Sequence, residues 1–314
     1  MSGTLFTGVI PILATPFNDD ESLDLESWTR LLEFMVRLGV NGVTIIGVLG
    51  ESNRLTDDER DRLISRAVEV VHGRLPIIVG TSHSGTLAAR TLAHRAAALG
   101  ANAVMIAPGK EAVPNDERIV SSYRRIADGL HIPIVLQDHP ASTEVHMSVA
   151  LMLRLVGEVS AIQCIKAEAV PTAPKFAALR AGMSNMNNGN MNNRAIPILT
   201  GLGALYAPFD LQAGSSGFNT GFAFPEILMA MVAAAQAADW ARVHAIYARF
   251  ATLIVFEQQP GVAVRKEILR RRGLLDSSRA RHPGTTITPF VAAQLDQLLA
   301  HLLPGMDITQ PLLI

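Results

Sequence analysis

Short apolar runs alternate with longer stretches of helical periodicity from the N-terminus to about residue 219. Eight of the runs are rich in Val and Ile or are bounded by Gly and Pro, as strands tend to be. Most are apolar nearly throughout, which indicates parallel strands covered on both faces. The predicted strands are residues 8–15, 42–47, 76–80, 103–107, 133–138, 161–168, 197–201 and 216–219.

Helix signals fill the segments between these strands. Thr56-Asp57-Asp58-Glu59 fits a capping box that opens a helix to about His72. Residues 86–99 are rich in Ala and Leu and stop at Gly100, a typical C-terminal signal. Residues 115–130 and 147–156 follow the same plan, and the close spacing of the last two strands predicts a brief helix between them.

Repeated helix–glycine–strand units predict an α/β fold, a (β/α)8 TIM barrel. We place the barrel at residues 1–222 and a C-terminal helical extension, packed on the barrel, at residues 223–314, with helices near 225–237, 238–257, 261–272 and 288–302. The alternative, an open doubly wound sheet, is weakened because the first strand lacks a dinucleotide-binding fingerprint. The Asn-rich residues 183–193 are predicted to form a surface insertion.

Composition then excludes several classes of protein. A formal net charge of −1 over 314 residues argues against nucleic acid as the main partner. The single cysteine, Cys164, excludes a disulfide framework and a Cys-rich zinc site. We find no signal peptide, no apolar run long enough for a bilayer, no phosphate loop and no metal motif. The expectation is a cytoplasmic protein without a membrane partner, cofactor or metal.

Lysine is scarce, so the position of each lysine carries weight. Of 27 basic residues only four are Lys, and Lys166 alone ends an apolar strand. At a barrel mouth its amine would have a lowered pKa and could attack a carbonyl, although pairing with Glu168 is the plainer reading. Lys175 and Lys266 are expected to be solvated on helices, whereas Lys110 could point into the mouth.

A glycine-rich turn follows the second strand. Its glycines would let the backbone approach a ligand, and consecutive N–H groups can cradle a carboxylate, although a plain tight turn fits equally well. The turn comprises Gly47, Val48, Leu49, Gly50, Glu51 and Ser52. At the last two strands, a further set of candidate ligand contacts comprises Gly201, Gly217 and Phe218.

Taken together, these features resemble the dihydrodipicolinate synthase / N-acetylneuraminate lyase family over about residues 5–300. The likeness lies in the Thr15-Pro16-Phe17 turn, the Gly-x-x-Gly-Glu turn at Gly47–Glu51, the strand-six Lys166 and the helical C-terminus. The resemblance implies a class I lyase that forms a Schiff base between Lys166 and pyruvate or another 2-oxo acid. It also implies a homo-oligomer, a tetramer or a dimer, and a pocket lined near Gly201, Gly217 and Phe218.

The chain departs from the family's pattern at several positions. The turn hydroxyls that bind the substrate carboxylate and relay a proton are replaced by Val48 and Leu49. Gln137 stands at the family's catalytic tyrosine, and the loop ending at Lys110 lacks the tyrosine of the synthases. The arginine that follows the strand-five proline, Pro140, is also missing. The sequence therefore predicts a lyase that is not a true dihydrodipicolinate synthase.

Another group must then move protons near neutral pH. Gln137 can orient water, and the titratable candidates at strand ends are Asp138, His139 and Glu168, with His83 a weaker one. We expect an aldolase or dehydratase that acts on pyruvate or a 2-oxo-3-deoxy sugar acid. The alternatives are a non-catalytic 2-oxo-acid binding protein that retained the barrel and a metal-dependent aldolase.

Glu51 has a second interpretation. Its place at the end of the glycine-rich turn also suits a structural role, in which the side chain ties the strand-two loop to its surroundings rather than contacting substrate.

Overall fold

The computed structural model describes residues 5–110, 115–188, 196–259 and 262–314, with residues 186–188 described by their backbone alone. Within these residues, eight parallel strands form one sheet in which β1 lies beside β8 and the others follow chain order. A parallel bridge between Ile12 and Thr44 joins the segment after β1 to β2 and closes the barrel. The strands are β1 (Gly8–Val9), β2 (Val43–Ile45), β3 (Ile77–Gly80), β4 (Ala103–Ile106), β5 (Ile134–Asp138), β6 (Ile162–Ala167), β7 (Ile198–Thr200) and β8 (Gly217–Phe218).

This architecture confirms the predicted (β/α)8 barrel, and each predicted strand segment contains one observed strand. The helices are α1 (Leu25–Leu38), α2 (Asp57–Val71), α3 (Thr86–Ala98), α4 (Asp116–Ala127), α5 (Pro140–Thr143), α6 (Val149–Glu158), α7 (Thr172–Asn188), α8 (Ala207–Gln212), α9 (Pro225–Gln236), α10 (Trp240–Phe256), α11 (Ala263–Arg271) and α12 (Pro289–Leu302).

Local signals account for several helix boundaries. The predicted capping box is present, with the Thr56 hydroxyl accepting from the Glu59 amide and the Glu59 carboxylate accepting from the Thr56 amide. The brief helix expected between the last two strands is α8. The Asn-rich segment differs from the prediction, because α7 continues through it to Asn188. Asn costs only about half a kcal/mol in a helix relative to Ala, so Asn residues are compatible with the helical conformation described up to Asn188. Residues 189–193 of that segment lie outside the described residues.

Two apolar layers build the core. The larger lies between the strands and the surrounding helices, and the smaller fills the barrel interior with Phe6, Ile10, Ile78, Ala103, Met105, Val135, Cys164 and Leu199. Successive side chains of a strand point to opposite faces, so each of the strands β3 to β7 contributes to both layers. On β5, Ile134 and Leu136 face the helices while Val135 faces the interior. This alternation decides which residues at the strand ends can reach the barrel mouth.

The C-terminal helices pack on the barrel. Helix α9 contacts both β1 and α10, and α10 in turn contacts α8 and α12. The predicted domain boundary at residue 222 falls between β8 and α9. Arg272 ties this region together through a buried ion pair with Glu226, at 2.6 Å. Among the described helices, none has the length and apolar character needed to cross a bilayer.

Asp210 on α8 generates a prediction about stability. Its side chain is 1% exposed and accepts from the Thr172 hydroxyl at 2.6 Å. Burial raises the pKa of Asp210 to about 6. Because this folded pKa lies above the unfolded value, the stabilisation from proton binding is present at low pH and is lost as pH rises through about 6. Asp210→Asn should therefore raise the free energy of unfolding at pH 7.5 by about 1–2 kcal/mol.

Urea unfolding at pH 7.5 and pH 5 measures this effect. The gain from Asp210→Asn should be smaller at pH 5, where the native aspartate binds a proton, and the exposed Asp128→Asn serves as the control. A variant that is equally destabilised at both pH values would contradict the account.

Candidate active site

Lys166 lies near the carboxyl end of β6 with its side chain in the barrel. The residue is 1% exposed and pairs in register with Gln137 on β5 and Leu199 on β7. A register irregularity between β5 and β6 sets its direction. Ile162 faces the helices, but Cys164 faces the interior, so Lys166 follows Cys164 inward. Burial lowers the pKa of the Lys166 amine, and nearby Glu168 opposes this effect.

The Glu168 carboxylate is the centre of the site. Its Oε2 lies 3.2 Å from Lys166 Nζ and accepts from Gln137 Nε2 at 2.9 Å. Its Oε1 accepts from the Leu202 amide at 3.2 Å. The residue is only 6% exposed, so these three donors replace water around a buried carboxylate. The plain interpretation of Lys166, a lysine paired with Glu168, is therefore correct as geometry, and it leaves the amine in contact with a group that can exchange protons.

The loop after β7 is shaped around this carboxylate. A Cβ on Gly201 would lie 2.1 Å from Glu168 Oε1, so a larger residue there would have to displace the carboxylate. Leu202 and Ala204 have φ values of 48° and 66°, a left-handed backbone that non-glycine residues adopt at a cost of about 1 kcal/mol or more each. This conformation aims the Leu202 amide at Glu168. Gly201 makes room for the carboxylate, and its contact with substrate stays a prediction.

Asp138, predicted to be catalytic, does not reach the mouth. It follows Leu136 to the outer face of β5, where its carboxylate lies 2.6 Å from Lys175 Nζ. Lys175 also donates to the Met147 carbonyl at 2.7 Å. The expectation that Lys175 is solvated is therefore wrong, because the α7 side chain fills the space behind β5. Asp138 contributes to the site through its backbone, since its carbonyl accepts from the Glu168 amide at 2.9 Å.

His139 lies at the rim, directly after β5. Its Nδ1 is 2.6 Å from the hydroxyl of Ser142 in α5. Burial lowers the pKa of the imidazole, while Glu168 raises it and Lys166 lowers it further. His139 is thus within the electrostatic field of the Lys166–Glu168 pair, and its catalytic role remains a prediction.

The glycine-rich turn forms two short 3-10 segments, Val48–Gly50 and Ser52–Arg54. The Gly50 amide donates to the Gly47 carbonyl at 2.9 Å. Because Val48 and Leu49 open the first segment, their amides have no acceptor inside the turn and are available to an anion. The Val48 side chain is 50% exposed and offers no polar group. Contact between this turn and substrate stays a prediction.

Glu51 points away from the mouth, although it was included among the residues predicted to contact substrate. Its carboxylate lies 2.5 Å from Lys266 Nζ and 2.6 Å from Arg54. This geometry fits the structural interpretation of Glu51. It also shows that the expectation of a solvated Lys266 is wrong, because Lys266 is 0% exposed. Helix α11 presents this lysine to the strand-two loop, a contact between residues far apart in the chain.

Gly217 and Phe218 also have structural roles and do not lie at the barrel mouth. A Cβ on Gly217, whose φ is 138°, would lie 1.9 Å from the Gly8 carbonyl oxygen, so glycine permits β8 to approach β1. Phe218 is 0% exposed and belongs to the layer between strands and helices. The alternation along β8 turns it outward, which corrects the predicted substrate contact.

Lys110, which could have pointed into the mouth, is exposed and paired with Glu144. In the described parts of the chain, no cluster of three or more His, Cys, Asp or Glu side chains is arranged to hold a metal ion.

The charge coupling between Lys166 and Glu168 yields a prediction. Since Glu168 raises the pKa of the Lys166 amine, Glu168→Gln should lower that pKa further. Reductive methylation with isotopically labelled formaldehyde, followed by NMR titration of the Lys166 resonance, measures the change. Glu144→Gln, which removes an exposed carboxylate beside Lys110, is the control and should leave the value unchanged. An unaltered or higher Lys166 pKa in Glu168→Gln would show that the pair is not coupled.

Comparison with known proteins places this geometry in a family. The chain is 33% identical over 293 residues to an L-2-keto-3-deoxyarabonate dehydratase of Azospirillum brasilense, covering 92% of each protein. It is 40% identical over 137 residues to a 4-hydroxy-tetrahydrodipicolinate synthase of Stenotrophomonas maltophilia, covering 44% of this chain and 46% of that one. The dihydrodipicolinate synthase of Rhodopseudomonas palustris superposes with a TM-score of 0.88 at 32% identity, covering 95% and 98% of the two chains. The profile of the dihydrodipicolinate synthetase family matches residues 5–302, and the chain belongs to that family.

Proposed function

We propose that the protein is a Schiff-base dehydratase of 2-oxo-3-deoxy sugar acids. The observation that carries the proposal is the buried contact between Lys166 Nζ and the Glu168 carboxylate, at 3.2 Å. A lysine amine with a lowered pKa is a nucleophile for a ketone, and a carboxylate in contact with it can accept and return the protons of each step. The name of the Azospirillum relative, a keto-deoxy-arabonate dehydratase, supports the substrate class.

Imine formation comes first. The neutral Lys166 amine adds to the C2 carbonyl of the substrate, and the proton released from nitrogen passes to Glu168. Glu168 then returns that proton to the C2 oxygen, which gives a neutral carbinolamine, and a second proton taken from solvent through Glu168 lets the C2 hydroxyl leave as water and gives the iminium. Gln137 holds Glu168 at 2.9 Å throughout, so the carboxylate keeps its orientation while its protonation changes.

Elimination follows at C3 and C4. The iminium withdraws electrons and acidifies C3, so the Glu168 carboxylate can remove a C3 proton to give an enamine. The enamine electrons expel the C4 hydroxyl, which takes the proton back from Glu168 and departs as a second water. Hydrolysis of the conjugated iminium consumes one water and frees Lys166, so the net reaction is loss of one water from the substrate.

The same residues disfavour synthesis of dihydrodipicolinate. Gln137 stands at the strand-five position where the resemblance expects a tyrosine, and its amide cannot shuttle a proton. The two residues of the turn that would supply hydroxyls are Val48 and Leu49, which leave carboxylate binding to backbone amides. A dehydratase needs one proton carrier beside the amine, and Glu168 supplies it.

Borohydride trapping tests the covalent step. Incubation with pyruvate followed by reduction should add one pyruvate-derived mass to the peptide that contains Lys166. Lys166→Ala should abolish the adduct, and Lys110→Ala, which removes an exposed lysine, should leave it intact. Absence of an adduct with every 2-oxo acid tried would refute the Schiff-base proposal.

Turnover then separates dehydratase from the other functions. Given a panel of 2-oxo-3-deoxy sugar acids, the protein should yield a product lighter by one water, and Lys166→Ala should lower the rate by at least about a thousandfold. Release of pyruvate and an aldehyde would identify an aldolase instead. Trapping without turnover would favour the non-catalytic 2-oxo-acid binding protein. Turnover that survives Lys166→Ala but stops with a chelator would favour a metal-dependent aldolase.

A further inference from the structure

We propose that Lys266, on α11 in the C-terminal helical extension, is a positioning residue of the active site. Its ammonium holds Glu51, and through Glu51 it keeps the Gly47–Gly50 turn in the shape that binds the carboxylate of the substrate. The inference rests on the proposed function, since it requires a 2-oxo acid in the barrel mouth.

The surroundings of Lys266 are built for an ammonium. The side chain is 0% exposed, and its Nζ lies 2.5 Å from Glu51 Oε1 and donates to the Arg279 carbonyl at 2.6 Å. The same nitrogen is 4.4 Å from the centroid of the Phe17 ring, within cation–π distance. Burying an ammonium is costly unless its partners replace water, so a pair of this kind fixes the positions of the segments it joins.

Glu51 is the link between this pair and the turn. Its backbone has φ 55° and ψ 38°, a left-handed conformation that persists in a non-glycine residue only when its surroundings impose it. Three groups surround this one carboxylate: the Lys266 ammonium forms an ion pair with Oε1 at 2.5 Å, and Arg54 at 2.6 Å and the Arg281 amide at 2.9 Å donate to Oε2. Removal of the Lys266 charge frees one oxygen of that carboxylate and lets the strained residue relax.

Relaxation of Glu51 would alter the turn directly before it. The Glu51 amide donates to the Val48 carbonyl at 3.1 Å and the Thr15 hydroxyl donates to the Gly50 carbonyl at 2.6 Å, so the turn is held at both ends. In this chain Val48 and Leu49 have no side-chain hydroxyl, and only their amides can receive a carboxylate. Affinity for the carboxylate therefore depends on the backbone shape that Glu51 fixes.

A second cation of the C-terminal segment reinforces the same loop. The Arg281 guanidinium pairs with both oxygens of Glu59 on α2 and lies 4.2 Å from the centroid of the Phe17 ring. The loop after β1, the loop after β2 and the C-terminal segment are thus joined around one aromatic ring. By this arrangement the extension supports the loops at the barrel mouth from behind.

The test compares two probes with the same carbonyl, pyruvate and its neutral amide, pyruvamide. Borohydride trapping at Lys166 is measured against probe concentration for the wild type, Lys266→Met and Lys266→Arg. Lys266→Met should raise the half-saturating pyruvate concentration at least tenfold, while its trapping of pyruvamide and its maximal rate with pyruvate change less than threefold. Lys266→Arg, which retains the charge, should stay within threefold of the wild type with both probes.

Lys175→Met is the matched control, because Lys175 also forms a buried ion pair but lies behind β5 and away from the turn. It should leave the ratio of pyruvate to pyruvamide affinity unchanged. An equal loss of both probes in Lys266→Met, or no loss of either, would overturn the proposal. A wild type that traps neither probe would instead overturn the Schiff-base function itself.

The pH profile of the wild-type protein provides a second test, which does not depend on whether a variant folds. Burial lowers the pKa of Lys266 to about 8, with Glu51 opposing and Arg54 and Arg281 assisting. Beyond these groups lie Glu59, which faces Arg281, and the buried Arg265 on the same helix.

As pH rises through about 8 the ammonium is lost, so the pyruvate-to-pyruvamide affinity ratio should fall. Titration of Lys166 changes the trapping of both probes alike, so it does not alter the ratio of their affinities. A ratio that stays constant from pH 6.5 to 9.5 would contradict the proposal.

Discussion

A buried carboxylate beside a buried amine is the constraint around which the barrel mouth is organised. Taking Glu168 out of water requires that its oxygens find donors, and Lys166, Gln137 and the Leu202 amide supply them. Each donor comes from a different strand or strand end, so the closed barrel is what brings them together. The absence of a side chain at Gly201 and the left-handed backbone of Leu202 follow from the same requirement.

The site has a second support outside the barrel. The ion pair between Lys266 and Glu51 joins α11 to the strand-two loop, and Arg281 joins the following segment to α2. Both cations lie near the Phe17 ring. The Lys166–Glu168 pair and the Gly47–Gly50 turn are therefore held by separate networks. Under the proposed function, the first network would control the protonation of the Lys166 amine, and the second would control the shape of the turn that receives the substrate carboxylate.

Much of this fold could be predicted from the sequence, because Val- and Ile-rich runs bounded by Gly and Pro are direct signals of buried parallel strands. Lys166 could also be found, since a lysine that ends an apolar strand is unusual. The direction in which each side chain points was harder to predict from the sequence. Asp138 and Phe218 were placed at the mouth, yet both face the helices. Side chains are known to alternate between the two faces of a strand. Which residues take the inner face is set by the pairing with neighbouring strands, and in β6 an irregularity in the pairing changes it.

Contacts between segments that lie far apart in the chain could not be predicted from the sequence either. Nothing local distinguishes Lys266 from a solvated lysine on a helix, because its burial depends on Glu51, Phe17 and Arg279, which belong to other segments. Glu168 did carry a signal. It stands two residues after Lys166, and this spacing places two side chains on one face of an extended chain. That spacing favours Glu168 over Asp138 as the carboxylate that lies beside the Lys166 amine.

The central claim is that Glu168 moves protons for the imine formed on Lys166, and hydrogen exchange at C3 tests it most directly. In deuterated buffer the wild type should exchange the methyl protons of pyruvate, which NMR follows, because each enamine formed at Lys166 is reprotonated from solvent. Glu168→Gln should still give a borohydride adduct but exchange these protons at least about a hundredfold more slowly. Exchange at the wild-type rate in Glu168→Gln would contradict the account.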